Sequence, residues 1–296
     1  MTFKKFFKII LSTYLFAILS VLIFLTPVLF NFYNSAEEKL IRYQLKKIKE
    51  NNYNTIFLGD SSLGNLIDAK EWLKLSGNST GNLALFGLTS FYGAYQILTK
   101  ENFRNLENIY VVSSIDTWPR PKSSVDPYFI ISENKLKKIL SVLNSRDFRN
   151  ILKLYLNFIN ESLNLNMSFL KINTKLQNDY IVQNSTYKLP KNIPANYEFK
   201  LNPDKIFYLK KIFEFCDEKE IKCMFANSII YEQFCDLTGY AKFLTDLKNL
   251  LAESEIKYLN NNTCLPYTML GDAYDHLHPK YKVEFTKKFY ELIKKN

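Results

Sequence analysis

Histidine is almost missing from this chain: its 296 residues hold two, His276 and His278. Acid–base chemistry by an imidazole near neutral pH is therefore confined to Asp275-His276-Leu277-His278-Pro279. Cysteine is sparse too. Cys216, Cys223, Cys235 and Cys264 form no CxxC pair, and so few histidines cannot complete a usual zinc set, so neither a metal nor a cofactor is expected. An even cysteine count suits disulfides in a domain outside the cytosol and suits four buried thiols as well. Cys235 and Cys264 both follow late strands, which would bring them close. No zinc finger, RNA-binding signature or concentrated Lys/Arg block occurs, so the net charge of +10 reads as a basic solvated surface and not as a nucleic-acid site. At 23% charged and 47% hydrophobic, the composition is that of a folded globular chain.

The long apolar run is at the start. Lys4, Lys5 and Lys8 precede an uncharged stretch over residues 9–32, and a helix of roughly 20 apolar residues crosses a bilayer. The stretch ends in Asn31-Phe32-Tyr33-Asn34 without the small-residue pattern of a cleavage site, which favours a retained anchor over a cleaved signal. The basic flank keeps the N-terminus cytoplasmic. Residues 1–33 are thus expected to be tip and single-pass anchor in the cell membrane. Residues 34–52 are expected to form a helical stalk, with Leu40, Ile41, Leu45 and Ile48 at helical spacing. Residues 53–296 are then the exported domain, periplasmic or extracellular.

That domain alternates short apolar runs with helical periodicity. Strands are expected at 55–58, 82–85, 108–114, 221–226 and 256–259, and helices over 61–72, 89–100, 203–218, 240–253 and 279–293. Between 119 and 200 the rhythm breaks. Helical spacing over 132–144 and 146–163, followed by an Asn- and Pro-containing loop, reads as an insertion. The fold class is α/β, a mostly parallel sheet with helices on both faces. Such sheets carry their sites beyond the carboxyl ends of the strands, where Ser61, Gly87, Asp116, Asn227 and His278 fall.

A serine hydroxyl needs a base to take its proton, usually a histidine oriented by a carboxylate. If one helical turn holds Asp275 and His278, the carboxylate reaches one ring nitrogen and leaves the other for Ser61. Asp272 and His276, four residues apart, form the competing pair.

Together these residues resemble the SGNH (GDSL-type) hydrolase and acyltransferase superfamily. Gly59-Asp60-Ser61 matches its nucleophile block, Asp275-x-x-His278 its C-terminal block, and Gly87 the glycine of its second block. The resemblance covers residues 53–118 and 203–296 and implies a flavodoxin-like three-layer fold. It assigns Ser61, Asp275 and His278 to catalysis, with the backbone N–H groups of Ser61 and Gly87 holding the oxyanion. Asp60, Asp116, Trp118 and Asn227 fall around the expected pocket. In one place the chain departs from the family. Ser113-Ser114-Ile115-Asp116-Thr117-Trp118 lacks the asparagine of the third block, a donor worth about 2.7–4 kcal/mol where it acts. Asp116 either shapes the pocket or caps a turn, and Trp118, Tyr128 and Phe129 either stack on sugar or simply pack.

The anchor narrows the resemblance. A single anchor before such a domain is similar to the D-alanyl transfer proteins of teichoic acid modification and to alginate O-acetyltransferases. By that analogy the chain works beside a multispanning acyl-exporting protein of the inner membrane and passes an acyl group from serine to a glycan acceptor. An esterase with the same triad, or a non-catalytic scaffold, remains as the alternative.

Overall fold

A computed structural model describes residues 5, 12–16, 19–20, 36–87, 89–119, 127–128, 176–177, 180–181, 193, 197–259 and 263–295. The chain divides into two compact units, residues 1–39 with 129–173 and residues 40–128 with 174–296. Most of the expected anchor, and the helices expected at 132–144 and 146–163, lie outside the described residues. Among the described residues no helix is long and apolar enough to cross a membrane. Residues 12–16 and 19–20 of the first unit are helical, and Tyr14, Leu15, Phe16 and Leu19 all stand exposed.

In chain order the elements are α1 (Ala36–Glu50), β1 (Thr55–Gly59), α2 (Ser61–Leu66), α3 (Ala69–Ser76), β2 (Thr80–Ala84), α4 (Ser90–Lys100), β3 (Asn108–Ser113) and the hairpin β4 (Leu176–Gln177) and β5 (Tyr180–Ile181). They continue with α5 (Pro203–Glu218), β6 (Lys222–Asn227), β7 (Ile229–Tyr231), α6 (Glu232–Cys235), α7 (Tyr240–Glu253), β8 (Tyr258–Leu259), β9 (Thr263–Leu265) and α8 (Lys282–Lys294). Five strands form one sheet in the order β2-β1-β3-β6-β8, every neighbour parallel. The α/β class with a parallel sheet is therefore as expected. All five residues of β1 are buried, because a central parallel strand is covered on both faces.

The rings show the two faces. Phe57 lies beside Tyr110 in register on the neighbouring strand and packs against Trp72 of α3 and Phe289 of α8. Phe225 aligns with Val111 and so points to the opposite face. There it meets Phe91 of α4 and Trp118. Gly59 ends β1 where a Cβ would collide with the Val112 carbonyl, so this glycine is required by the close approach of β3.

Helix α1 differs from the expected stalk. From Leu40 onward it packs into the second unit, with Leu40, Ile41, Leu45 and Ile48 buried. Gln44 donates to the Ala84 carbonyl at 2.9 Å, and Lys47 to the Asn82 carbonyl at 2.6 Å. These are carbonyls of β2, the edge strand, so α1 covers an edge that would otherwise present unpaired groups. An apolar stripe has to be buried, and the sheet edge supplies the partner.

The helix expected over 61–72 is two helices. Asp68 breaks it by accepting from the backbone N–H groups of Lys70 and Glu71, which starts α3 afresh. β7 and β9 pair as a separate two-stranded parallel sheet. Cys235, at the end of α6, is disulfide-bonded to Cys264 of β9. Cys216 and Cys223 are free thiols.

Candidate active site

The sheet order places a switch point between β1 and β3, where the connections leave in opposite directions. Asp60 sits there, immediately after β1, with its side chain fully buried. One carboxylate oxygen accepts from Ser62 N–H at 3.0 Å and from the Ser62 hydroxyl. The other accepts from the Ser113 hydroxyl at 2.7 Å and from Ser114 N–H at 2.9 Å. A buried carboxylate is tolerated only with such a set of donors. Asp60 thereby caps α2 and fastens its start to the end of β3. The sequence suggested a pocket residue; the structure makes it the knot that fixes the Ser61 turn.

Ser61 is the first residue of α2 and is half-buried. Its carbonyl accepts from Asn65 Nδ2, and among the described residues no hydrogen bond engages its hydroxyl. Gly87 is buried in the turn after β2. That turn is closed by Thr89, whose N–H and hydroxyl both donate to the Phe86 carbonyl. Leu85 N–H donates to the Gly59 carbonyl at 2.9 Å, tying the turn to the end of β1.

At the end of β3, Ser114 accepts from Asp116 N–H and starts the 3-10 turn Ile115–Thr117. The Thr117 hydroxyl meets Ser113 Oγ at 2.8 Å. Sequence reading passed over Ser113, Ser114 and Thr117. Their signal was a hydroxyl-rich segment directly after a strand. Asp116 is half-buried at this turn. Trp118 is wholly buried, edge-on to Phe91 and Phe225, so it is a core residue and not a surface for sugar. Tyr128 donates to Glu101 and carries Lys100 over its ring, whereas Phe129 lies outside the described residues. Asn227 is buried at the end of β6 and donates to the Tyr258 hydroxyl at 2.8 Å.

The C-terminal loop answers the question of pairing. Leu277 is bridged to Leu270, His278 N–H donates to the Met269 carbonyl, and Gly271 N–H donates to the His276 carbonyl. The chain at 276–278 is therefore extended rather than a helical turn, and residues three apart do not share a face. Among the described residues no hydrogen bond joins Asp275 to His278. Instead His276 Nδ1 lies 2.7 Å from Asp272 Oδ1, and His276 Nε2 lies 3.7 Å from Asp275 Oδ1. The competing pair is the one that forms. His278 is exposed, accepts a long 3.3 Å bond at Nδ1 from Lys280 N–H, and packs edge-on to Tyr281.

Burial works against the charged form of His276, but the carboxylates of Asp275, Asp272 and Asp60 outweigh it and raise its pKa. Just beyond this loop, Lys282 Nζ donates to the Gly64 carbonyl at 2.8 Å and Thr286 Oγ1 accepts from Asp68 N–H at 2.9 Å, so the C-terminal segment packs against the helix that Ser61 opens.

Comparison with family models and with curated proteins finds no match. What the site does is read from its own residues. Among the described residues no group of acidic, histidine and cysteine side chains is arranged to hold a metal ion. The residues present are a half-buried serine, two imidazoles of unlike environment, and a buried carboxylate that fixes the serine's turn.

Proposed function

We propose that the chain is a membrane-anchored, exported serine-dependent O-acyltransferase of SGNH type that modifies a cell-surface polysaccharide or glycolipid. The observation that carries this reading is the packing of the segment after the only histidines against the helix that Ser61 opens, through Lys282 on the Gly64 carbonyl and Thr286 on Asp68 N–H, with Asp60 adding to the raised pKa of His276. Two further facts support the setting. The Cys235–Cys264 disulfide suits an oxidising compartment. The exposed rings and leucines between residues 14 and 19 suit a lipid-facing segment within the apolar run 9–32.

In the proposed reaction Ser61 Oγ attacks the acyl carbonyl while an imidazole takes its proton. The tetrahedral oxyanion is held by the N–H groups of Ser61 and Gly87. Collapse releases the donor's leaving group, protonated by the same imidazole, and leaves acyl-Ser61. A glycan hydroxyl then attacks, its proton passing to the imidazole, and Ser61 is restored. The acyl donor is delivered by a multispanning membrane partner.

His278 is the proposed base, because its ring is exposed and, among the described residues, meets no carboxylate, whereas the carboxylates of Asp272 and Asp275 favour the protonated form of His276. For His278 Nε2 to accept, the proton must sit on Nδ1, and only the long contact to Lys280 stands in the way. A second reading gives the work to His276, since the 2.7 Å contact with Asp272 is the carboxylate–imidazole geometry of a triad. Fluorophosphonate labelling of the wild type, Ser61→Ala, His276→Asn and His278→Asn decides between them. Labelling is expected to vanish in Ser61→Ala and His278→Asn and to persist in His276→Asn. The reverse pattern for the histidines transfers the role, and an unlabelled wild type ends the catalytic reading. Surface-glycan O-acylation that falls in Ser61→Ala supports transfer, and a rise would make the protein an esterase.

A further inference from the structure

A pocket of about 280 Å³ lies between the end of α2, β7, β9 and helix α8. Its walls come from Leu66, Ile229, Leu265, Met269, Phe285 and Leu292. Leu66, Ile229 and Leu265 are all nearly without solvent exposure. The walls are largely apolar and open toward solvent, so covering them with hydrocarbon removes apolar surface from water. Among the described lining residues Lys288 alone is charged. Its ammonium is paired with Glu284 at 2.6 Å and lies over the Phe285 ring. The lining therefore offers hydrocarbon contact and no unsatisfied charge.

Two of its lining residues, Leu66 and Met269, belong to the segments that carry Ser61 and His278. Leu66 closes the helix that Ser61 opens, about 8 Å along the axis. The Met269 carbonyl accepts from His278 N–H.

We infer that this cavity binds the aliphatic tail of the acyl group carried by the donor, so that the acyl group is a hydrocarbon chain longer than acetyl. The inference rests on the proposed acyl transfer at Ser61. A linear chain matches the cavity because it needs burial and no hydrogen bonds. A polar acyl group such as an aminoacyl one would lose its hydration there without recompense.

The test uses a decanoate bearing an alkyl diazirine, irradiated with the full chain in lipid nanodiscs and mapped by mass spectrometry of peptides. Label is expected on the peptides carrying Met269 and Leu292, in the wild type and equally in Ser61→Ala, and excess plain decanoate should displace it. Leu292→Trp fills the cavity, and Lys288→Trp, at an exposed helix position, lays a ring over its mouth. Excluding even two methylenes lowers affinity about tenfold, so label in either variant should fall by that factor. Absence of label from both peptides in the wild type overturns the inference. So does label that persists undiminished in Lys288→Trp, which settles the matter even where Leu292→Trp fails to fold. Fluorophosphonate labelling of Ser61 is read separately. Ser61 labelled with an empty cavity refutes the acyl pocket alone, and a filled cavity with unlabelled Ser61 refutes the nucleophile alone.

Discussion

Replacing Asp60 with Asn tests the knot that positions Ser61. The substitution keeps the shape and removes the charge. In the wild type one oxygen serves Ser62 and the other serves Ser113 and Ser114, each accepting from a backbone N–H as well as from a hydroxyl. An amide has one acceptor oxygen and one NH2 group. The hydroxyls of Ser62 and Ser113 can rotate to accept from NH2, but a backbone N–H cannot. Whichever way the amide is turned, either Ser62 N–H or Ser114 N–H faces a donor in a fully buried place. A buried donor left without a partner costs about 1–3 kcal/mol, and the lost charge-assisted bonds add to it. The expected loss is about 2–3 kcal/mol, or about 4–12 °C in Tm for a unit of this size. Urea unfolding followed by intrinsic fluorescence reads it directly, since Trp72 and Trp118, the only tryptophans, are buried in the same unit. A loss under about 0.5 kcal/mol, within the range of ordinary surface substitutions, would refute the four-bond network. Ser61 labelling by fluorophosphonate should fall with it under conditions where the variant remains folded.

The Cys235–Cys264 disulfide closes a segment of 29 residues, for which chain entropy predicts about 3.6 kcal/mol; thermal unfolding with and without reductant should show that loss, and four alkylatable thiols in the oxidised protein would refute the pairing. His276 has a raised pKa from its carboxylate neighbours despite its burial, so its stabilisation is fully present below its unfolded value of about 6.5 and is lost as pH rises through the folded value. The stability difference between wild type and His276→Gln should therefore shrink from acidic to alkaline pH, measured as urea midpoints, and a difference that grows with pH would overturn the assignment.

Local periodicity determined much of this protein. The helices at 203–218 and 240–253 stand where the spacing of their apolar residues predicts, and the five short apolar runs became the five parallel strands. Both signals are carried by neighbours in the chain, and a buried strand or amphipathic helix is legible from a dozen residues. The candidate site was legible as far as its place at the strand ends, because parallel sheets put sites there.

What the tertiary structure decided were the partners. Leu40, Ile41, Leu45 and Ile48 announce a face but not what it meets, and the β2 edge took what reads alone as a stalk. The spacing of Asp275 and His278 is neutral between a helical turn and an extended segment. The bridge of Leu277 to Leu270 chose the extended one, which set Asp272 against His276 instead. Cys235 pairs with Cys264 because β7 and β9 lie side by side. Contacts between residues far apart depend on the packing of the whole sheet, and no local pattern encodes that distance.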